Sequence, residues 1–306
     1  MTPKIKLLLG YATIWIMKDH LVHKILDRGL DLSNLRELSS KEAKQFRDIY
    51  KKSHGSMLPA YDFWLRNKPE VLKRHRLQAN WTPSDEGAQL PLHGTLGFLH
   101  LYAILGYSFG IKYETQHSRS LGASNQAILQ TLEIAFMHSG PRGMHAASDG
   151  IQYDLEGSEE SSMSNALIFP DGWSRNPVAF QTGLNYDNPE LSKIELENLY
   201  DWYEKNIGEI PNYVSILSKV RPGLLKAHWA RVEHAMEGPL PAQMYPFLLL
   251  QYNVARSFTS GIRESFLLGR SFGMTNNQLF DAIGWGMLIG GPESIESVEI
   301  LRSLIS

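Results

Sequence analysis

The sequence predicts an all-α protein built from two diverged copies of one helical unit, and three observations lead there. Apolar residues recur at helical spacing: Ile128, Leu132, Ala135 and Phe136 form the i, i+4, i+7, i+8 stripe of a core-facing helix, and Leu279, Ile283, Gly286 and Met287 repeat it. No alternating strand pattern of useful length accompanies these stripes. The chain also resembles itself at a nearly constant displacement, the mark of an internal repeat.

The repeat is read residue by residue. Tyr107, Gly110, Ile111 and Lys112 are answered 151 positions later by Phe258, Gly261, Ile262 and Arg263. The same displacement carries Gly122 and Asn125 onto Gly273 and Asn276, and Gly140-Pro141 onto Gly291-Pro292. Upstream the displacement is 153, bringing Pro69, Leu72, Lys73 and His75 onto Pro222, Leu225, Lys226 and His228, Tyr50 onto Tyr203 and Gly55 onto Gly208. These matches predict a first repeat over 45–146 and a second over 198–306. A helical extension precedes them over 1–44, and a connector rich in Ser, Asp, Asn, Gly and Pro joins them over 147–197. Aromatic and apolar clusters in the connector suggest that part of it packs down as a strap. Gly122 and Gly273 stand where helices end, and Ser124 and Thr275 are placed to cap the next ones.

With 306 residues the chain can bury one large core or two ordinary ones. A net charge of −2 provides no field for nucleic acid or an anionic membrane surface. Zero cysteines exclude disulfides, thiolate zinc cages and thiol catalysis, so a metal could be held only by His, Asp or Glu. The apolar run over 5–17 follows Lys4 and Lys6 but is too short to span a bilayer and lacks a small-x-small cleavage site. It reads as a buried or oligomer-facing helix, and the expected location is the cytoplasm.

The order of apolar helix, glycine-containing break, polar helix, glycine, Ser/Thr cap and apolar helix resembles the carboxymuconolactone decarboxylase and alkylhydroperoxidase D family. That family's peroxidase branch carries Cys-x-x-Cys at the break and a histidine four positions after the second cysteine. Counting back from Gly122, this frame puts Tyr107 and Gly110 at the cysteine positions and Glu114 at the histidine position. Counting back from Gly273, it puts Phe258, Gly261 and Ser265 there. The resemblance implies a helical, homo-oligomeric fold with pockets lined by helix N-termini. It does not transfer peroxidase chemistry, which needs a thiolate. The decarboxylase branch, needing neither thiol nor cofactor, is the activity it implies.

Glu114 and His117 lie three residues apart on one helix face, and a carboxylate beside an imidazole is a workable proton-transfer pair. Tyr107 begins the same helix, where exposed N–H groups favour an anion, and His100 precedes it by seven positions. Gly110, His138, His145 and Arg142 complete the expected substrate-binding set. Gln251, Ile289 and Glu296 replace His100, His138 and His145 in the second repeat, which predicts that the polar site belongs to the first repeat and that the second has drifted toward packing. His75 and His228, common to both repeats, read as structural. The combined expectation is a cofactor-independent lyase or decarboxylase acting by acid–base chemistry on a small anionic cyclic or keto acid, with no metal and no nucleic-acid or membrane partner. A metal-dependent enzyme using first-repeat histidines and a non-catalytic binding or assembly protein are the alternatives.

Overall fold

A computed structural model describes residues 28–80, 82, 92–151 and 169–305; the apolar run over 5–17 and the centre of the connector lie outside the described residues. Helices dominate, and no strand occurs among the described residues. The chain divides into two compact units, Met1–Pro91 and Leu92–Ser306.

In the first unit, α1 (Ser40–His54), α2 (Pro59–Asn67) and α3 (Pro69–Asn80) bury Phe46, Tyr50, Leu65, Leu72 and Ala79. Ser39 and Glu42 form a reciprocal capping box at the start of α1, and Gly55 ends it at φ 71°. Glu42 also accepts an ion pair of 2.6 Å from Lys73 of α3, a side chain only 1% exposed. The Lys73 ammonium donates further to the carbonyls of Asp31, Asn34 and Glu37. A buried ammonium is tolerated only when surrounded by acceptors, and these bonds fasten the segment before α1 to α3. Burial alone would raise the Glu42 carboxyl, but Lys73 and the amides of Ser39 and Asp31 pull it down to about 2.

The second unit opens with α4 (Leu92–Leu105), α5 (Ser108–Ser120), α6 (Asn125–Ser139) and α7 (Pro141–Ile151). It continues through a 3₁₀ turn (Pro177–Phe180) to α8 (Lys193–Ile207), α9 (Asn212–Val220) and α10 (Pro222–Ala235). Then follow α11 (Met244–Ala255), α12 (Thr259–Ser271), α13 (Asn276–Gly290) and α14 (Pro292–Ser297). A second 3₁₀ turn (Val298–Leu301) and α15 (Arg302–Ile305) close the described chain. Helices α4 and α11 are apolar on every side because they form the centre: α4 packs on α5, α6, α7 and α11, and α11 on α12 and α13. Gly286 allows α13 to approach α11, since a Cβ there would lie 2.8 Å from the Gln251 carbonyl oxygen.

The order of helices occurs twice. Helices α12, α13 and α14 begin 151 residues after α5, α6 and α7, and α8, α9 and α10 begin 153 residues after α1, α2 and α3. The residues that matched in sequence acquire physical reasons. Ser192 and Glu195 repeat the capping box, and Lys226 bonds Glu195 at 2.6 Å as Lys73 bonds Glu42. Ser124 and Thr275 cap α6 and α13 through the amides of Ala127 and Gln278. The described part of the connector is bonded onto this unit: Trp173 Nε1 donates to Gln278, Arg175 to the carbonyls of Glu237 and Gly238, and Thr182 to Glu233. No helix among the described residues is long and apolar enough to cross a membrane.

Candidate active site

Each break that the sequence places before a polar helix is a tight reversal. Gly106 takes φ 76° between α4 and α5, and Ser257 takes φ 54° between α11 and α12. The left-handed backbone at Ser257 costs roughly 1 kcal/mol for a residue with a Cβ. Tyr107 and Phe258 are the N-caps that follow.

The residues singled out in the first repeat fall into separate groups. Glu114 and His117 stay together on α5, both buried, with Nδ1 of the imidazole 3.4 Å from the carboxylate. His100 of α4 is fully buried and its Nε2 lies 2.9 Å from Nδ1 of His138 on α6. Burial holds both imidazoles neutral, His138 down to about 3 and His100 well below its ordinary range. Tyr107 is 37% exposed beside Tyr102, and burial raises its phenol. Gly110 is required by that packing, since a Cβ there would lie 2.6 Å from both tyrosine rings. His145 is exposed on α7. Arg142, at the start of α7, stands with His138 in the wall of a recess.

That recess, of about 300 Å³, is lined by Ile104, His138, Ser139, Arg142, Tyr252 and Arg256. Its wall contains two guanidinium groups and no carboxylate. A second cavity, of about 270 Å³, adjoins it through His138 and Tyr252, which line both. This cavity is walled by aromatic rings, among them Trp202, Trp229 and Tyr245, and closes on Phe258 and Gly261 at the start of α12. Glu114, His117, Tyr107 and His100 line neither space.

The aromatic cavity holds one carboxyl, Glu264 of α12, which burial pushes up to about 7. A hydrogen-bond chain ends on it. Trp229 Nε1 donates to the Tyr203 hydroxyl at 3.2 Å, and that hydroxyl lies 2.9 Å from the Tyr213 hydroxyl, which donates to Glu264 Oε1 at 3.2 Å. Although the Tyr213 side chain is 40% exposed at its periphery, its hydroxyl is bonded to the buried Tyr203. Burial drives the phenols of Tyr203, Tyr213 and Tyr245 above their ordinary range, so all remain donors at neutral pH. The hydroxyls of Tyr245 and Tyr252 have no hydrogen-bond partner among the described residues and face a space that could hold one. His228 also lines the cavity, kept neutral by burial and by Arg231.

The arrangement supplies a near-neutral proton donor, neutral phenolic donors and an apolar enclosure. The polar site is expected in the first repeat, and this cavity lies at the start of α12, with His228 in its wall. Its tyrosines come from α8, α9 and α11, far apart in the chain, so only packing assembles them. The signal available in sequence was Glu264 itself, adjacent to Ser265 at the frame's histidine position.

No protein-family model matches the chain, and no curated protein matches it significantly. Among solved structures, one from Burkholderia xenovorans LB400, provisionally described as a gamma-carboxymuconolactone decarboxylase subunit, superimposes with a TM-score of 0.55 at 17% identity, over 90% of this chain and 98% of that one. The likeness concerns the fold, and the chain has the all-α architecture of the carboxymuconolactone decarboxylase and alkylhydroperoxidase D type that its helix order and glycine frame predict.

Proposed function

We propose that the chain is a cofactor-independent acid–base enzyme of the decarboxylase type, acting on a small anionic cyclic or keto acid in the aromatic cavity of the second unit. The observation that carries this reading is Glu264, a carboxyl held near pH 7 inside an enclosure, with Tyr213 bonded to one oxygen. A group whose pKa lies near the working pH transfers protons in both directions with little penalty. The donor chain from Trp229 through Tyr203 and Tyr213 orients that carboxyl toward one geometry.

In the proposed step the bond between the substrate carbon and its carboxylate breaks, carbon dioxide leaves, and the electron pair passes into the adjacent carbonyl as an enolate. A phenol, Tyr245 or Tyr252, donates a hydrogen bond to the enolate oxygen as its charge develops. Glu264 then gives its proton to carbon and recovers one from solvent, so that one proton is consumed for each carbon dioxide released. The likeness in fold to the Burkholderia protein, described as a gamma-carboxymuconolactone decarboxylase subunit, supports this class of substrate.

The test is turnover of γ-carboxymuconolactone and of simple β-keto acids by the wild-type protein and by Glu264→Gln. The reading predicts a loss of roughly 10²–10⁴ in kcat, the usual contribution of a positioned acid. Turnover unchanged in Glu264→Gln removes the carboxyl from the chemistry. The buried Glu114–His117 hydrogen bond favours a second reading, in which that pair shuttles the proton. Glu114→Gln in the same assay separates the two, since only one variant should lose the chemical step.

A further inference from the structure

We infer that the recess around Arg142 and Arg256 anchors a carboxylate that the substrate keeps through the reaction, so that the accepted molecule is an organic acid whose apolar body extends from that anchor into the aromatic cavity. The inference rests on the proposed function for which end reacts; the anion site stands on its own observations.

Arg142 and Arg256 reach the recess from different helix ends, the first turn of α7 and the residue that follows α11. Both side chains are exposed at the mouth of the recess, neither pairs with a carboxylate among the described residues, and no acidic side chain lines it. Two guanidinium groups in one concavity repel each other, and an anion held between them turns that repulsion into two charge-assisted bonds. The chain has more acidic than basic residues, 32 against 30, so the missing partner does not follow from a shortage of carboxylates. It follows from where they are.

His138 stiffens the wall that the two cavities share. Its Nδ1 is bonded to His100, and its Nε2, like the Nδ1 of His100, is buried, so the pair is a packing element and the anion's bonds come from the two arginines. Tyr252, stacked on His138 with ring centroids 5.4 Å apart, continues the wall into the aromatic cavity. A flat molecule lying along this pair has its carboxylate between the arginines and its body among Trp202, Trp229 and Tyr245.

Benzoate and its neutral counterpart benzamide probe this directly. Calorimetric titration of the full chain at about pH 8, where benzoate is ionised, is run on wild type, Arg142→Gln, Arg256→Gln and the double variant. Benzoate should bind either single variant about tenfold more weakly than wild type and the double variant more weakly still, while benzamide binds poorly and equally to all four. Unfolding midpoints measured alongside establish that the variants are folded. Equal binding of benzoate and benzamide, benzoate affinity indifferent to both arginines, or no benzoate binding to folded wild type overturns the inference. The chemistry fails separately: arginine-dependent benzoate binding with turnover untouched by Glu264→Gln leaves the anion site and removes the proposed acid.

Discussion

Replacing Glu264 by glutamine isolates the energetic consequence of burying an ionisable group, because the amide oxygen can still accept the Tyr213 hydroxyl while the charge is gone. The folded chain holds this carboxyl at about 7 against an ordinary 4.5. Below about pH 4.5 both folded and unfolded chains carry the proton, and the site loses no stability. As the pH rises toward 7 the unfolded chain releases its proton while the folded chain retains it, so stability falls. Above about 7 the loss is complete. At 1.36 kcal/mol per pKa unit it amounts to roughly 3 kcal/mol, an order of magnitude set by burial and opposed by Tyr213. Glu264→Gln lacks this dependence, so relative to wild type it should gain up to roughly 3 kcal/mol between pH 4.5 and 8. In a chain of this size that is about 5 °C in Tm. Thermal unfolding followed by tryptophan fluorescence, with Trp202 and Trp229 in the same cavity wall, reads the effect across that range. Parallel pH profiles for the two proteins would refute the placement of a neutral carboxyl in this cavity.

Three further outcomes follow from the packing. Lys226→Met leaves Glu195 without its ammonium and should cost about 3 kcal/mol in chemical denaturation near neutral pH. Because Lys226 and the Ser192 amide hold Glu195 at about 2, that stabilisation is present above about 4.5 and fades as the pH falls toward 2, so the variant's acid profile should be flatter. Gly261→Ala places a Cβ 2.5 Å from the Phe258 ring and 2.7 Å from Asn253; it should destabilise by about 1–3 kcal/mol and distort the cavity, raising KM in the decarboxylation assay more than a surface alanine does. Self-association, expected from the sequence, predicts a sedimentation mass that is a multiple of 34.7 kDa.

The fold was legible because its instructions are local. The stripe of Ile128, Leu132 and Ala135, the caps Ser124 and Thr275, and the glycines 122 and 273 each act within one or two turns, and they specify α6 and α13 together with their beginnings. The recurring Lys73 and Lys226 were visible as matches, but their purpose was not, since their partners Glu42 and Glu195 lie 31 positions away on another helix. The same limit governed the site. Arg142 and His138, expected in the substrate-binding set, line the recess, whereas Arg256, the counterpart of Leu105 in the repeat frame, has no local signal. The histidines concentrate in the first repeat, whereas Glu264 of the second is a half-buried carboxyl whose chemistry depends on neighbours from α8, α9 and α11 that no sequence interval contains.

The pH dependence of kcat/KM for decarboxylation, measured on wild type and Glu264→Gln, tests the central claim most directly. A proton donor held near 7 predicts a rate that is level in acid and falls tenfold per pH unit above about 7, with that break absent from the residual activity of the variant. A wild-type profile that runs flat through neutrality, or a break that persists in Glu264→Gln, would contradict it.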